Sequence, residues 1–199
     1  MKTRSHRQSP VGFILRLVAV FALVLAAGCV VTSVYPYYQE KDLVFEPGLV
    51  GKWVDAATNT PDSYVIIKPN GGRGYWATVY ASKETNRCEV HLFRLHSQLF
   101  LDTFPTNRPL DYVPVHQISK VLQIHPTLKT ADLNYDWLAR LFDQKPKAIR
   151  HIVLQKPGET GGKGRIVLTA DTPELQRFIM KYRDDTNAWN GISEFKRLE

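Results

Sequence analysis

From Leu49 to the end of the chain, short runs of alternating apolar and polar residues are cut at close intervals by turn-forming clusters. This is the feature that most restricts what the chain can fold into. Alternation with period two puts one face of each run toward a core and the other toward water. Runs this short, with Gly, Pro, Asn and Asp between them, make an antiparallel sandwich or barrel and not a parallel sheet. Gly74–Ala81 shows the pattern: Tyr75, Ala77, Val79 and Ala81 alternate with Trp76, Thr78 and Tyr80. Before it, Gly51–Ala56 and Ser63–Lys68 read as strands, and Pro69-Asn70-Gly71-Gly72 is a strong turn signal. "RCEVHLFRLHSQLFLDTFP" reads as two strands around a turn at His96-Ser97, and Val113–Gln123 pairs with Thr127–Asp132. Ile149–Leu154, Arg165–Thr169 and Ser193–Leu198 bring the expectation to about ten strands, a mainly β antiparallel meander barrel or half-barrel.

Two segments change period. Trp137, Leu138, Leu141 and Phe142 recur as one face of a helix, with Asn134 as its N-cap and Pro146 as its stop. Asp171-Thr172-Pro173-Glu174 opens a second helix: a polar cap, Pro in the first turn and an acid near the positive dipole end. Its apolar face is Leu175, Phe178, Ile179 and Tyr182. Between the last strands, "KPGETGGKG" has neither the Lys-Ser/Thr ending nor the following helix of a phosphate loop, and reads as a hairpin loop.

The amino terminus follows other rules. Lys2, Arg4, Arg7 and Arg16 precede the apolar run Leu17–Val31, and no acid occurs before Glu40. That run is 15 residues long, short of the roughly 20 that cross a bilayer as a helix. A basic start, a short apolar core and small residues at its end describe an export signal. Leu25-Ala26-Ala27-Gly28-Cys29 resembles the lipobox of bacterial lipoproteins. The resemblance implies cleavage before Cys29, a diacylglyceryl thioether and N-acylation there, and attachment to a membrane without spanning it. Val30 in place of Asp implies, by the same resemblance and for a bacterium with two membranes, the inner leaflet of the outer membrane, with the domain facing the periplasm. The expected organisation is a signal peptide over 1–28, a lipidated tether over 29–46 and a β domain over 47–199. Tyr35, Tyr37 and Tyr38 in the tether either meet lipid headgroups or cover an edge of the domain.

Removing the signal also changes the charge. Residues 1–28 hold four basic residues and no acidic one, so 22 Lys+Arg remain against 19 Asp+Glu. With no basic stripe interleaved with exposed aromatics, nucleic acid is not an expected partner. With Cys29 acylated, Cys88 is the one remaining thiol, so stability rests on packing and not on a disulfide. Within a strand, Cys88 reads as a small buried hydrophobe.

Gly51-Lys52-Trp53, preceded by Leu49 and Val50, resembles the Gly-x-Trp that opens the first strand of lipocalins and related calycin barrels. There the Trp packs across the closed end of the barrel, under the C-terminal part of the chain. "HLFRL…LFLDTFP", "DWLARLF" and "LTADTPELQRFIMKY" make Asp42–Glu199 similar to a group of small, uncharacterised bacterial lipoproteins with such a lipocalin-like domain. The helix near 135–143 departs from lipocalins proper.

Catalytic chemistry has little to build on. His91 and Asp102 fall on adjacent strands and read as a structural polar pair across a hairpin, with no evident nucleophile. His91, His96, His116, His125 and His151 are scattered without zinc-ligand spacing, so no metal or other cofactor is expected. Trp53, Tyr64, Trp76, Tyr80 and Phe93 are the candidates to line a barrel interior, either as core or around a small apolar ligand. The expectation is therefore a non-enzymatic, lipid-anchored domain. It holds a small apolar ligand or, as the alternative, acts as an envelope interaction or scaffold module; a hydrolase comes third.

Overall fold

A computed structural model describes residues 30–58, 63–81, 84–106, 115–155 and 164–198. Cys29 and the signal segment lie outside them. Eight strands form a closed antiparallel barrel in the order β11-β2-β3-β4-β5-β6-β7-β8. They are β2 (Gly51–Asp55), β3 (Ser63–Pro69), β4 (Gly74–Ala81), β5 (Glu84–Leu95), β6 (Gln98–Pro105), β7 (Gln117–Gln123), β8 (Leu128–Leu133) and β11 (Trp189–Leu198). The mainly β barrel expected from the alternation is thus present. Eleven strands are present among the described residues where about ten were expected: the expected β9 (His151–Gln155) and β10 (Arg165–Leu168) stand outside the barrel and form a separate sheet with an unexpected β1 (Val30–Ser33), ordered β1-β10-β9.

Two helices interrupt the meander. Helix α1 (Tyr135–Gln144) begins where the Asn134 side chain accepts the amides of Asp136 and Trp137. Helix α2 (Thr172–Lys181) begins where Asp171 accepts the Glu174 amide. Each cap satisfies donors that a helix start leaves orphaned. Leu138 and Phe142 of α1 and Leu175, Phe178 and Ile179 of α2 are buried.

The chain builds two cores. One lies inside the barrel: Leu49, Trp53, Tyr75, Cys88 and Leu92 are among its members. The other lies outside the wall, where Phe93, Phe100 and Ile118 meet the helices, β1 and β10. Strand β5 is therefore covered on both faces, Leu92 turning inward and Phe93 outward.

Residues 30–46 do not form a tether. β1 pairs in parallel with β10, from Val30 opposite Arg165 to Ser33 opposite Leu168. Val31, Tyr37 and Leu43 are buried in the outer core. Of the three tyrosines of this segment, Tyr37 covers the domain, whereas Tyr35 is exposed. The pairing joins residues more than 130 positions apart, and no local pattern signals it.

Candidate functional site

The closed end of the barrel is built around the Gly-Lys-Trp motif. A 3-10 turn, Pro47–Leu49, crosses the end, with the Glu46 side chain accepting the Gly48 amide. Trp53 is 1% exposed, and its indole N–H donates to the Leu49 carbonyl at 2.9 Å. The Arg197 guanidinium lies 5.5 Å from its ring centroid and donates to the Val50 carbonyl. Gly51, at φ +152°, leaves room for it: a Cβ there would meet Arg197 Nε at 2.8 Å. Tyr75, 0% exposed, donates its hydroxyl to the Glu46 carbonyl at 3.2 Å and accepts the Glu46 amide at 2.6 Å. Leu49, Cys88 and Leu92 leave no more than 2% of their surface exposed. Side chains fill this end.

Of the five aromatics read as interior candidates, Trp53 alone faces the barrel core. Phe93 turns outward and stacks on Phe100 at 5.5 Å beneath the helices. Tyr64, Trp76 and Tyr80 also face outward and are half-buried. The period in β3 and β4 is as expected, but the phase is opposite. The interior of an eight-strand barrel is just wide enough to be filled by side chains or to hold one small ligand. Trp53 and Tyr75 lie inside it with the smaller Ala77, Val79 and Ala81, whereas Trp76 and Tyr80 of β4 face out.

Outside, those rings form an ordered wall. Tyr64 and Tyr80 are directly opposite in register and stack at 4.7 Å. The Lys52 ammonium sits 4.0 Å above the Tyr64 ring, and the Arg87 guanidinium 4.0 Å above Trp76. Such cation–π contacts hold flexible side chains in place. Tyr, Trp and Arg are also the types that dominate binding hot spots.

The polar pair is re-partnered. His91 and Asp102 are directly opposite across the β5–β6 hairpin. Asp102, 0% exposed, instead accepts from His116 Nδ1 at 2.7 Å and from the Tyr37 amide at 2.9 Å. Ser33 and His116 exchange backbone hydrogen bonds beside it. Asp102 of β6 thereby ties down the N-terminal segment at Tyr37 and the residue just before β7, His116. His91 reaches the Tyr38 hydroxyl and Glu89, each at 3.5 Å, and its buried Nδ1 has no partner among the described residues. Burial, then the charges of Asp102, Glu89 and Glu40, pushes the Tyr38 phenol up to about 12. Burial and then Asp102 push that of Tyr37 far above its ordinary value. Both phenols stay neutral. His116 was missed as the partner because the register of β7 against β6 is not set by local pattern. No hydroxyl or thiol is hydrogen-bonded to the His116 ring among the described residues.

Two further polar features stand apart. Asp132 projects into the barrel and accepts from the Ser119 hydroxyl at 2.6 Å; burial raises its carboxyl above the usual range against that hydrogen bond. A groove of about 450 Å³ runs between the 3-10 turn Glu40–Asp42, the β5–β6 turn and α2. Lys41, Arg94, His96 and Arg177 line it, and Asp42 accepts from the Gln39 amide and the Gln176 side chain. His96 adopts φ +51° at the turn.

Among the described residues, no three His, Cys, Asp or Glu side chains are grouped to hold a metal ion. No helix there is long and apolar enough to cross a membrane. Compared with known proteins, the chain matches no family model, no curated protein and no solved structure.

Proposed function

We propose that this chain is a lipid-anchored lipoprotein of the bacterial envelope, with a lipocalin-like barrel that acts as a rigid, non-catalytic interaction module. It faces the periplasm, with its acyl chains on Cys29 in the outer membrane's inner leaflet. Support for the anchor comes from the basic start, the apolar run and the Leu-Ala-Ala-Gly-Cys sequence. Support for the lipocalin-like character comes from Trp53 packed across the closed barrel end beneath Arg197.

The observation that favours a module over a carrier is packing. Trp53, Tyr75 and Leu92, each no more than 1% exposed, occupy the closed end where a deep apolar ligand would sit. The rings that would have lined such a site, Tyr64, Trp76 and Tyr80, stand on the outer wall with Lys52 and Arg87 across them. A docking wall of this kind needs no cavity. Hydrolysis has the least support: Asp102 holds His116 Nδ1 as an orienting carboxylate would, but no hydroxyl or thiol is hydrogen-bonded to that ring among the described residues.

Titrating the full-length protein with a fluorescent fatty-acid analogue tests the choice. A carrier gaining about −0.3 kcal/mol per heavy atom for some twenty atoms would bind at tens of micromolar. A module gives no saturable quenching of tryptophan at that concentration. A photoreactive residue at Tyr80 in living cells should then give a discrete adduct that Trp76→Ala weakens. Saturable fatty-acid binding with no adduct would overturn the module in favour of the carrier.

A further inference from the structure

β9 is an outer strand of the β1-β10-β9 sheet. Along it, Ile152, Val153 and Leu154 are 52%, 41% and 59% exposed. Soluble proteins blunt sheet edges with charge, proline or cover, because an apolar edge invites association. Single exposed hydrophobics need no explanation, but three in a row on an edge strand do.

The register places this run beside the amino terminus. Val30 lies opposite Arg165, and Arg165 opposite Gln155. Adjacent strands are about 4.8 Å apart, so the end of β9 is roughly 10 Å from Val30 across the sheet. Val30 is already paired in β1, and one residue spans at most about 3.6 Å. An apolar run ending at Val31 thus delivers the chain into this sheet with no linker between. Whatever part of residues 17–29 is held in a membrane, lipid-bearing or not, brings this edge to the membrane surface. Arg165, exposed on the neighbouring strand, adds a positive charge suited to anionic headgroups.

We infer that the β9 edge is the surface on which the domain lies against the bilayer, with Ile152, Val153 and Leu154 entering the headgroup layer beside the anchor. This rests on the membrane-anchor reading above. A second copy, paired edge to edge through β9, is the competing occupant; where the apolar N-terminal run ends favours lipid.

The test uses the full-length lipidated protein in vesicles of phosphatidylethanolamine and phosphatidylglycerol at about 3:1. Leu154→Cys carries an environment-sensitive dye, and a second sample carries it at Ser97→Cys in the β5–β6 turn. Cys88 is buried, which limits competing labelling. Brominated lipids should quench the dye at 154 several-fold more than at 97. Should Leu154→Cys not fold, the same dye at Ile152→Cys asks the same question. Equal, weak quenching at both positions in a protein that still floats with vesicles and carries palmitate overturns the docking surface and leaves the anchor standing. A protein that neither floats nor carries palmitate overturns both. Crosslinking of 154 to 154 between copies, without lipid quenching, overturns the inference in favour of a β9-paired dimer.

Discussion

Replacing Asp102 by Ala removes the acceptor that holds three parts of the molecule together. The carboxylate is fully buried and accepts hydrogen bonds from His116 Nδ1 at 2.7 Å and from the Tyr37 amide at 2.9 Å. A hydrogen bond to a charged group contributes about 1.5–3 kcal/mol. Deleting the acceptor also leaves the Tyr37 amide and the His116 ring N–H unsatisfied, and a buried donor left so costs about 1–3 kcal/mol. Asp102→Ala should therefore destabilise by about 3–5 kcal/mol, lowering Tm by roughly 6–20 °C at about 2–4 °C per kcal/mol for a domain of this size. His91 is the contrast. It faces Asp102 across the hairpin, yet its contacts are two at 3.5 Å and one of its ring nitrogens has no partner among the described residues. Such long contacts are weak, so His91→Ala should cost about 1 kcal/mol. Urea unfolding followed by tryptophan fluorescence, arranged as double-mutant cycles, separates the two. Coupling between Asp102 and His116 should be about 2 kcal/mol or more, and between Asp102 and His91 below about 0.5 kcal/mol. If His91 and not His116 couples strongly to Asp102, the geometry assigned to this cluster is refuted.

Three other outcomes are expected, two from the structure and one from the sequence. Trp53→Ala should cost about 3–5 kcal/mol, since a fully packed ring and its bond to Leu49 are lost together; an unchanged urea midpoint would place the ring elsewhere. Asp132 has a raised carboxyl pKa, so the folded state binds a proton that the unfolded state releases, and its contribution to stability falls as pH rises from the usual carboxylate value through the raised one. Asp132→Asn should accordingly raise Tm at pH 7 and flatten that dependence, and a lower Tm at pH 7 would contradict it. Finally, cells fed a clickable palmitate should label the protein, and Cys29→Ser should abolish the label; persistent labelling would put any lipid elsewhere.

Much of the local structure is determined by the sequence alone, because its causes are local. Asn134 and Asp171 cap their helices with side chains placed next to the amides they serve. Pro146 lies just past the Lys145 C-cap of α1, and Asn70-Gly71-Gly72 turns β3 into β4. Gly51–Ala56 reads as a strand, and β2 begins at Gly51. The tertiary structure decided what depends on partners far away in the chain. In β4 both faces carry aromatics, so alternation could not say which is inside; barrel closure left Trp53 and Tyr75 inside and Tyr64, Trp76 and Tyr80 outside. β1 owes its existence to β10, and the acceptor role of Asp102 owes its donors to His116 and to Tyr37. The reason is physical: a strand's period is written in its own residues. Its phase, its register and the groups its polar side chains meet are set only when distant segments bury their surfaces against one another.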